Sequence, residues 1–240
     1  MIKPINTVGF ETDEMLQQAQ LLADELDYFV DKNAADCLYV NSGSLALKIK
    51  SFSLLRADFS LSSWNKRKSE GKKQGLVRAC KPSPGIKIID ATAGWGKDSA
   101  ILASFGAEVM MLERNTLMAH LLADALLHRA DLDKKQMKIS LHAVDAIFFL
   151  ANLEPIQYPD VIYIDPMHPE RTKSSLVKKE MQALQQLIGV DLDALELIEC
   201  ARKHVKQRVV VKWPQKNKAL LPADLCIDGK TVRFDIYFPR

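Results

Sequence analysis

A short apolar run, Ile86-Lys87-Ile88-Ile89-Asp90, passes directly into Ala91-Thr92-Ala93-Gly94-Trp95-Gly96 and then into a helical stretch, Asp98–Phe105. Few folds accommodate that order. So short an apolar run is expected of a parallel strand covered on both faces. A glycine turn leading from its carboxyl end into a helix opens a β-α unit. The same alternation continues downstream, with strands at Glu108–Leu112, Met137–His142, Val161–Asp165 and Arg208–Lys212. Helices are predicted over Leu117–Arg129 and Ala146–Leu153, with two further helical stretches between the last two strands. Thr231–Phe238, β-branched and aromatic after the Asp228-Gly229 turn, is expected to close the sheet as an antiparallel strand. Repeated β-α units predict a mostly parallel sheet with right-handed crossovers, hence an α/β fold.

The first third reads differently. Thr12–Val30 has apolar residues at helical spacing (Met15, Ala19, Leu22, Leu26), with Thr12 placed to cap it. Alternating runs follow at Cys37–Val40, Leu45–Ile49 and Ser53–Phe59, and Asn41-Ser42-Gly43-Ser44 reads as a hairpin turn. Residues 1–80 are therefore expected to form a small helix-plus-meander α+β domain, and residues 81–240 the larger one.

Composition narrows the class. The 240 residues are 48% hydrophobic and 26% charged, which excludes a disordered tail, a collagen-like fibre and a coiled-coil rod. No two of Cys37, Cys80, Cys200 and Cys226 are close enough for a C-x-x-C pair, so buried, reduced thiols and no metal are expected. Neither a signal peptide nor an apolar run of ~20 residues is visible, so a cytoplasmic location without membrane association is expected.

The net charge of +3 hides a segregation: residues 1–36 hold eight acids and two lysines, whereas residues 64–82 hold seven bases and Glu70 alone. A face that meets a polyanion and a merely solvated helix both fit that pattern.

Four strand ends carry the chemistry. Asp90-Ala91-Thr92-Ala93-Gly94-Trp95-Gly96-Lys97-Asp98 brings glycines close to a ligand at the crevice of an α/β sheet, with Asp90 facing a positively charged group. Glu113, 17 residues beyond Gly96, is placed to accept from ribose hydroxyls. Dinucleotides and S-adenosylmethionine both fit to that point. The G-x-G-x-x-G pattern of dinucleotide folds would need a third glycine, and Ser99 stands there. Asp98 would also repel a pyrophosphate, whereas a sulfonium meets no such conflict. Asp145, after Val144, either accepts from an adenine amino group or caps the helix at Ala146, and the two are compatible. Finally Asp165-Pro166-Met167-His168-Pro169 is a rigid carboxylate loop that looks like the (D/N)-P-P-(Y/F/W) loop of amino-group N-methyltransferases. Met167 and His168 depart from that pattern; His168 can still stack a base.

With these motifs the chain resembles the bacterial 16S ribosomal RNA guanine-N2 methyltransferases of the RsmJ (YhiQ) type. The matching stretches are DATAGWGKD, MLERN, DPMHP, KSSLVKKEM, RVVVKWP and RFDIYF, spanning about residues 86–238. The resemblance implies a seven-stranded, Rossmann-like class I methyltransferase fold, S-adenosylmethionine as donor and one guanine of small-subunit RNA, naked or in the 30S particle, as acceptor. It implies donor contacts at Lys97–Asp98, Glu113–Arg114, Val144–Asp145 and Asp165, beside Asp90, Thr92, Gly94 and Gly96. Asp165, Pro166 and His168 would carry the catalytic loop. Lys66, Arg67 and Lys68, and beyond the loop Arg171, Lys173, Lys178 and Lys179, are the expected RNA contacts. Trp64 and Trp213 would stack a base or fill the core. Rival readings are a DNA or protein amino-group methyltransferase, a nicotinamide-dependent oxidoreductase and a non-catalytic assembly factor.

Overall fold

The computed structural model describes residues 5–50, 53–167 and 191–240. The chain begins with β1 (Thr7–Phe10), α1 (Leu16–Leu26), β2 (Phe29–Val30), β3 (Cys37–Asn41) and β4 (Ser44–Lys48). β3 and β4 form the expected hairpin, but β1 lies between β2 and β3 and runs parallel to both, giving the order β2-β1-β3-β4. The sheet is thus not a meander. The expected helix over Thr12–Val30 is shorter: a 3-10 turn covers Asp13–Met15, and Asp27 enters the left-handed region (φ 56°, ψ 47°) and ends α1. Phe29–Val30 then pairs with β1, and Thr12 makes no side-chain cap. Of Ser53–Phe59, only the Leu47–Leu55 bridge is β-structure, so the third expected strand is absent among the described residues.

Next come α2 (Leu61–Glu70) and α3 (Gly75–Cys80), followed by β5 (Lys87–Asp90), α4 (Lys97–Ser104), β6 (Glu108–Leu112), α5 (Thr116–Leu127), α6 (Asp131–Gln136), β7 (Ile139–His142), α7 (Ala146–Ala151), β8 (Val161–Ile164), α8 (Ala194–Lys203), β9 (Arg208–Pro214), β10 (Leu225–Ile227) and β11 (Val232–Tyr237). Of the two expected helical stretches between β8 and β9, the second is α8 and the first falls outside the described residues. The large sheet has seven strands in the order β10-β11-β9-β8-β5-β6-β7. From β9 to β7 neighbours are parallel, and β11 returns antiparallel to β9, as expected of a closing strand.

Alternation along buried strands builds a core on each face. Val161 and Tyr163 of β8 join Ile88, Val109, Met111 and Val210 on one side; Ile162 and Ile164 join Ile89, Leu112, Val209 and Val211 on the other. Phe59, Trp64 and Val77 belong to the first cluster, so the segment before β5 is packed into the core of the large sheet. Trp64 donates its indole N–H to the Asp58 carbonyl at 2.9 Å and is 8% exposed, which removes it from base stacking. The small sheet packs Val8, Leu38 and Leu47 against Leu117, Met118 and Leu121 of α5. Cys37 and Cys80 are buried as expected, but Cys226 is exposed on a short edge strand. Among the described residues no helix is long and apolar enough to cross a membrane.

Candidate active site

The carboxyl ends of β7, β6, β5, β8 and β9 open onto one cavity of about 270 Å³. The sequence-predicted residues Asp90, Thr92, Gly94, Lys97, Asp98, Glu113, Arg114, Val144, Asp145, Asp165 and Pro166 all line it.

At the β7 end, Asp145 caps α7 by accepting from the Phe148 amide at 3.0 Å, and Val144 lies beside it in the wall. Glu113 directly follows β6 and is 5% exposed. Its two oxygens accept from the amides of Gly94 (3.0 Å) and Asn115 (2.8 Å), which lock the carboxylate in place. Burial pushes its carboxyl above the ordinary value, and those two amides oppose the shift. Arg114 is committed to carboxylates, at 2.5 Å from Asp193 and in contact with Asp191. Asp191 also accepts from the Met167 amide at 2.7 Å, while its own amide donates to the Met167 carbonyl at 2.8 Å.

The β5 turn forms the floor. Gly94 and Gly96 take left-handed φ values of 55° and 68°, which disfavour any side chain. A Cβ on Gly96 would also lie 2.5 Å from the Phe59 ring, so Gly96 serves close packing beneath the turn and not the cavity wall. Ser99, at the place of the missing third glycine, is buried and donates to Asp90 at 2.5 Å. Asp90 is 1% exposed. Burial pushes its carboxyl up to about 7, against the lowering effects of Ser99 and the Thr92 amide. Asp90 is therefore fixed to its own turn, with little surface left to face a cation.

At the β8 end the Asp165 amide donates to Thr92 Oγ1 at 2.6 Å, tying the carboxylate loop to the β5 turn. Lys212 of β9 donates to Asp165 Oδ2 at 2.7 Å and to Asp98 Oδ2 at 2.9 Å, and the Tyr163 hydroxyl donates to Asp98 at 2.6 Å. Burial drives the Asp98 carboxyl up, but Lys212 and Tyr163 overcome it and hold Asp98 below its ordinary value. Burial works against the charge of Lys212, yet Asp165 and Asp98 hold its ammonium well above the usual lysine range.

Sequence reasoning missed Lys212, Tyr163, Ser99, Asp191 and Asp193. The one usable signal was a lysine inside the apolar run Arg208-Val209-Val210-Val211-Lys212, where a charge must find a partner. Trp213 is buried behind the strand, with its indole N–H on the Lys218 carbonyl at 2.9 Å, and it does not line the cavity. Arg67 lines the cavity from α2, 3.9 Å from Asp98; Lys66 and Lys68 belong to the same helix. His168, Arg171, Lys173, Lys178 and Lys179 lie outside the described residues.

A crevice over parallel strand ends, with a locked acid on β6 and a carboxylate-proline loop on β8, defines a Rossmann-like class I methyltransferase. The family model for SAM-dependent methyltransferases matches residues 21–239. Ribosomal RNA small subunit methyltransferase J of Legionella pneumophila is 64% identical over 98% of this chain and 97% of its own. The protein of that name from Coxiella burnetii is 45% identical over 70% of this chain and 67% of its own. A solved SAM-dependent methyltransferase from Neisseria gonorrhoeae superposes with a TM-score of 0.72 at 26% identity, covering 97% and 96% of the two chains. The chain belongs to the SAM-dependent methyltransferase family, alongside these small-subunit ribosomal RNA methyltransferases.

The cavity suits that donor. Seven carboxylates and four cationic side chains line it, a balance that favours a cation over a pyrophosphate. The locked Glu113 and the Ser99–Asp90 bond, which fills the third-glycine position, point the same way. The nicotinamide reading is set aside.

Proposed function

We propose that this enzyme transfers a methyl group from S-adenosylmethionine to the exocyclic N2 of a guanine in small-subunit (16S) ribosomal RNA, in the cytoplasm, with the free RNA or the 30S particle as substrate. The observation that carries the reading is the placement of Asp165, held at both backbone and side chain, on the cavity that Glu113 also lines. The name carried by the relatives from Legionella and Coxiella supports the RNA class.

When bound, S-adenosylmethionine supplies an electrophilic methyl group on a sulfonium. Glu113 accepts from the ribose hydroxyls, and Val144 and Asp145 flank the adenine. The acceptor amine is a poor nucleophile because its lone pair is delocalised into the ring. Asp165 accepts one N–H of that amine, localises the lone pair and stabilises the positive charge that grows on nitrogen. Lys212 and Thr92 keep Asp165 oriented, and the Pro166 carbonyl takes the second N–H. His168 stacks on the base. Positioning supplies most of the acceleration, and the proton leaves after transfer. Lys66 and Lys68, with Arg171, Lys173, Lys178 and Lys179, neutralise RNA phosphates.

Tritiated-methyl transfer to 30S particles and to naked RNA, followed by nucleoside analysis, tests this reading. N2-methylguanosine is the expected product. Label in an adenine, or in protein alone, would overturn it.

A further inference from the structure

Four cationic side chains line the cavity: Arg67, Lys97, Arg114 and Lys212. Three are engaged within the protein. Lys212 bridges Asp98 and Asp165, Arg114 is paired with Asp191 and Asp193, and Lys97 has a partner of its own. Arg67 differs. Among the described residues its nearest carboxylate oxygen, Asp98 Oδ1, is 3.9 Å away, beyond hydrogen-bond length, and its side chain is 41% exposed.

The fold puts that guanidinium in the cavity by construction. Trp64 is buried in the core, with its indole N–H on the Asp58 carbonyl. Phe59 packs under the β5 turn so closely that Gly96 has no room for a Cβ. Arg67 follows Trp64 by three residues, so it shares the helix face that Trp64 anchors. The segment before β5 therefore delivers a cation to the start of α4, next to Asp98.

The order of the sheet says what lies there. β5 sits between β6, which leads into Glu113, and β8, which leads into Asp165. A nucleoside with its ribose on Glu113 and its sulfur turned toward Asp165 must lay its amino-acid arm across the β5 turn. That arm ends in an α-amino acid, so besides an ammonium it brings a carboxylate, which the nearby Asp98 cannot receive without a cation to meet it. Given S-adenosylmethionine as donor, we propose that Arg67 holds the carboxylate of its amino-acid arm, so that a residue from the basic segment serves the donor and not the RNA backbone. The guanidinium fork matches a carboxylate with two parallel N–H donors.

Calorimetry on the full-length protein separates the possibilities, using S-adenosylhomocysteine and 5′-methylthioadenosine, which keeps the nucleoside and sulfur but lacks the amino-acid arm. Arg67→Ala should weaken S-adenosylhomocysteine about 10- to 100-fold, the range of a lost charge-assisted hydrogen bond. It should leave 5′-methylthioadenosine unchanged, and Arg67→Lys should recover part of the loss. Unchanged S-adenosylhomocysteine affinity in Arg67→Ala overturns the proposal, as does a parallel loss of both ligands, which would make Arg67 a structural support. Loss of RNA affinity alone would return Arg67 to the phosphate-binding set and overturn it too. If the unaltered protein binds neither adenosine compound, the donor assignment itself fails.

Discussion

Lys212 Nζ stands 2.7 Å from Asp165 Oδ2, joining β9 to the loop after β8 at the acceptor end of the cavity. The same ammonium reaches Asp98 at 2.9 Å, so one cation satisfies two carboxylates on different elements. Removing it would take a shared cation away from both acids. Lys212→Met is expected to lower stability by about 1.5–3 kcal/mol, the range of a lost charge-assisted hydrogen bond in a half-buried site. It should also lower kcat more than it raises the KM for donor, because Asp165 loses its orientation. Urea denaturation and steady-state kinetics measure the two effects; unchanged stability would show that the bridge is energetically idle.

The Asp90 carboxyl, raised to about 7 by burial, makes a pH signature. A carboxyl whose folded value lies above its unfolded value binds its proton more tightly when folded. Its contribution to stability is complete below the unfolded value near 3.8 and is lost as pH rises through about 7. In Asp90→Asn the side-chain oxygen can still accept from Ser99, and nothing titrates. The stability difference between variant and parent should therefore change in the variant's favour by roughly 1.4 kcal/mol per pH unit between pH 4 and 7 and level off above. Urea midpoints at several pH values check this, and a constant difference would contradict it.

Glu113 is tied to two backbone amides as well as lining the cavity, so its loss has two consequences. Glu113→Ala should weaken S-adenosylhomocysteine by roughly 1.5–3 kcal/mol and also destabilise the fold by about 1–3 kcal/mol, since the Gly94 and Asn115 amides lose their acceptors. Calorimetry and thermal denaturation on the same samples read both. Full affinity in a destabilised variant would leave Glu113 a purely structural residue.

Reversal of Lys178 and Lys179 to Glu should weaken RNA binding and flatten its salt dependence while leaving donor affinity intact. Filter binding from low to physiological salt is the measurement. An unaltered slope would shift the RNA contacts to Lys66 and Lys68.

Much of this was legible from pattern alone. Six of the seven strands of the large sheet were readable, since strands buried on both faces must be short apolar runs, and β6 appears over Glu108–Leu112 in both sequence and structure. The three-residue edge strand β10 was not, and the count of seven came from the family resemblance. The placement of Asp90, Glu113, Asp145 and Asp165 on one crevice was readable because strand ends are where α/β sheets bind ligands. The helix α2 was not: its buried side rests on Trp64 and Leu61 within a run of charges that masks helical periodicity. β1 was hidden by its length of 4 residues, and its parallel pairing with β2 and β3 depends on contacts across the chain. The bridging role of Lys212 joins residues 47 and 114 positions apart, a distance over which local pattern carries no information.

The mechanism turns on Asp165. If its carboxylate accepts from the guanine amino group as charge develops, the interaction belongs to the transition state. Asp165→Ala should then lower methyl transfer by ~10² to 10³ while RNA binding changes little. Asp165→Asn should retain more activity, since an amide oxygen still accepts. His168→Ala should cost less than Asp165→Ala, and His168→Phe should restore stacking. Single-turnover methyl transfer to small-subunit RNA at saturating donor is the deciding measurement. The expected rate for Asp165→Ala is at least ~100-fold below the parent, with Asn in between; a near-parental rate for Asp165→Ala would rule out the acceptor role of this carboxylate.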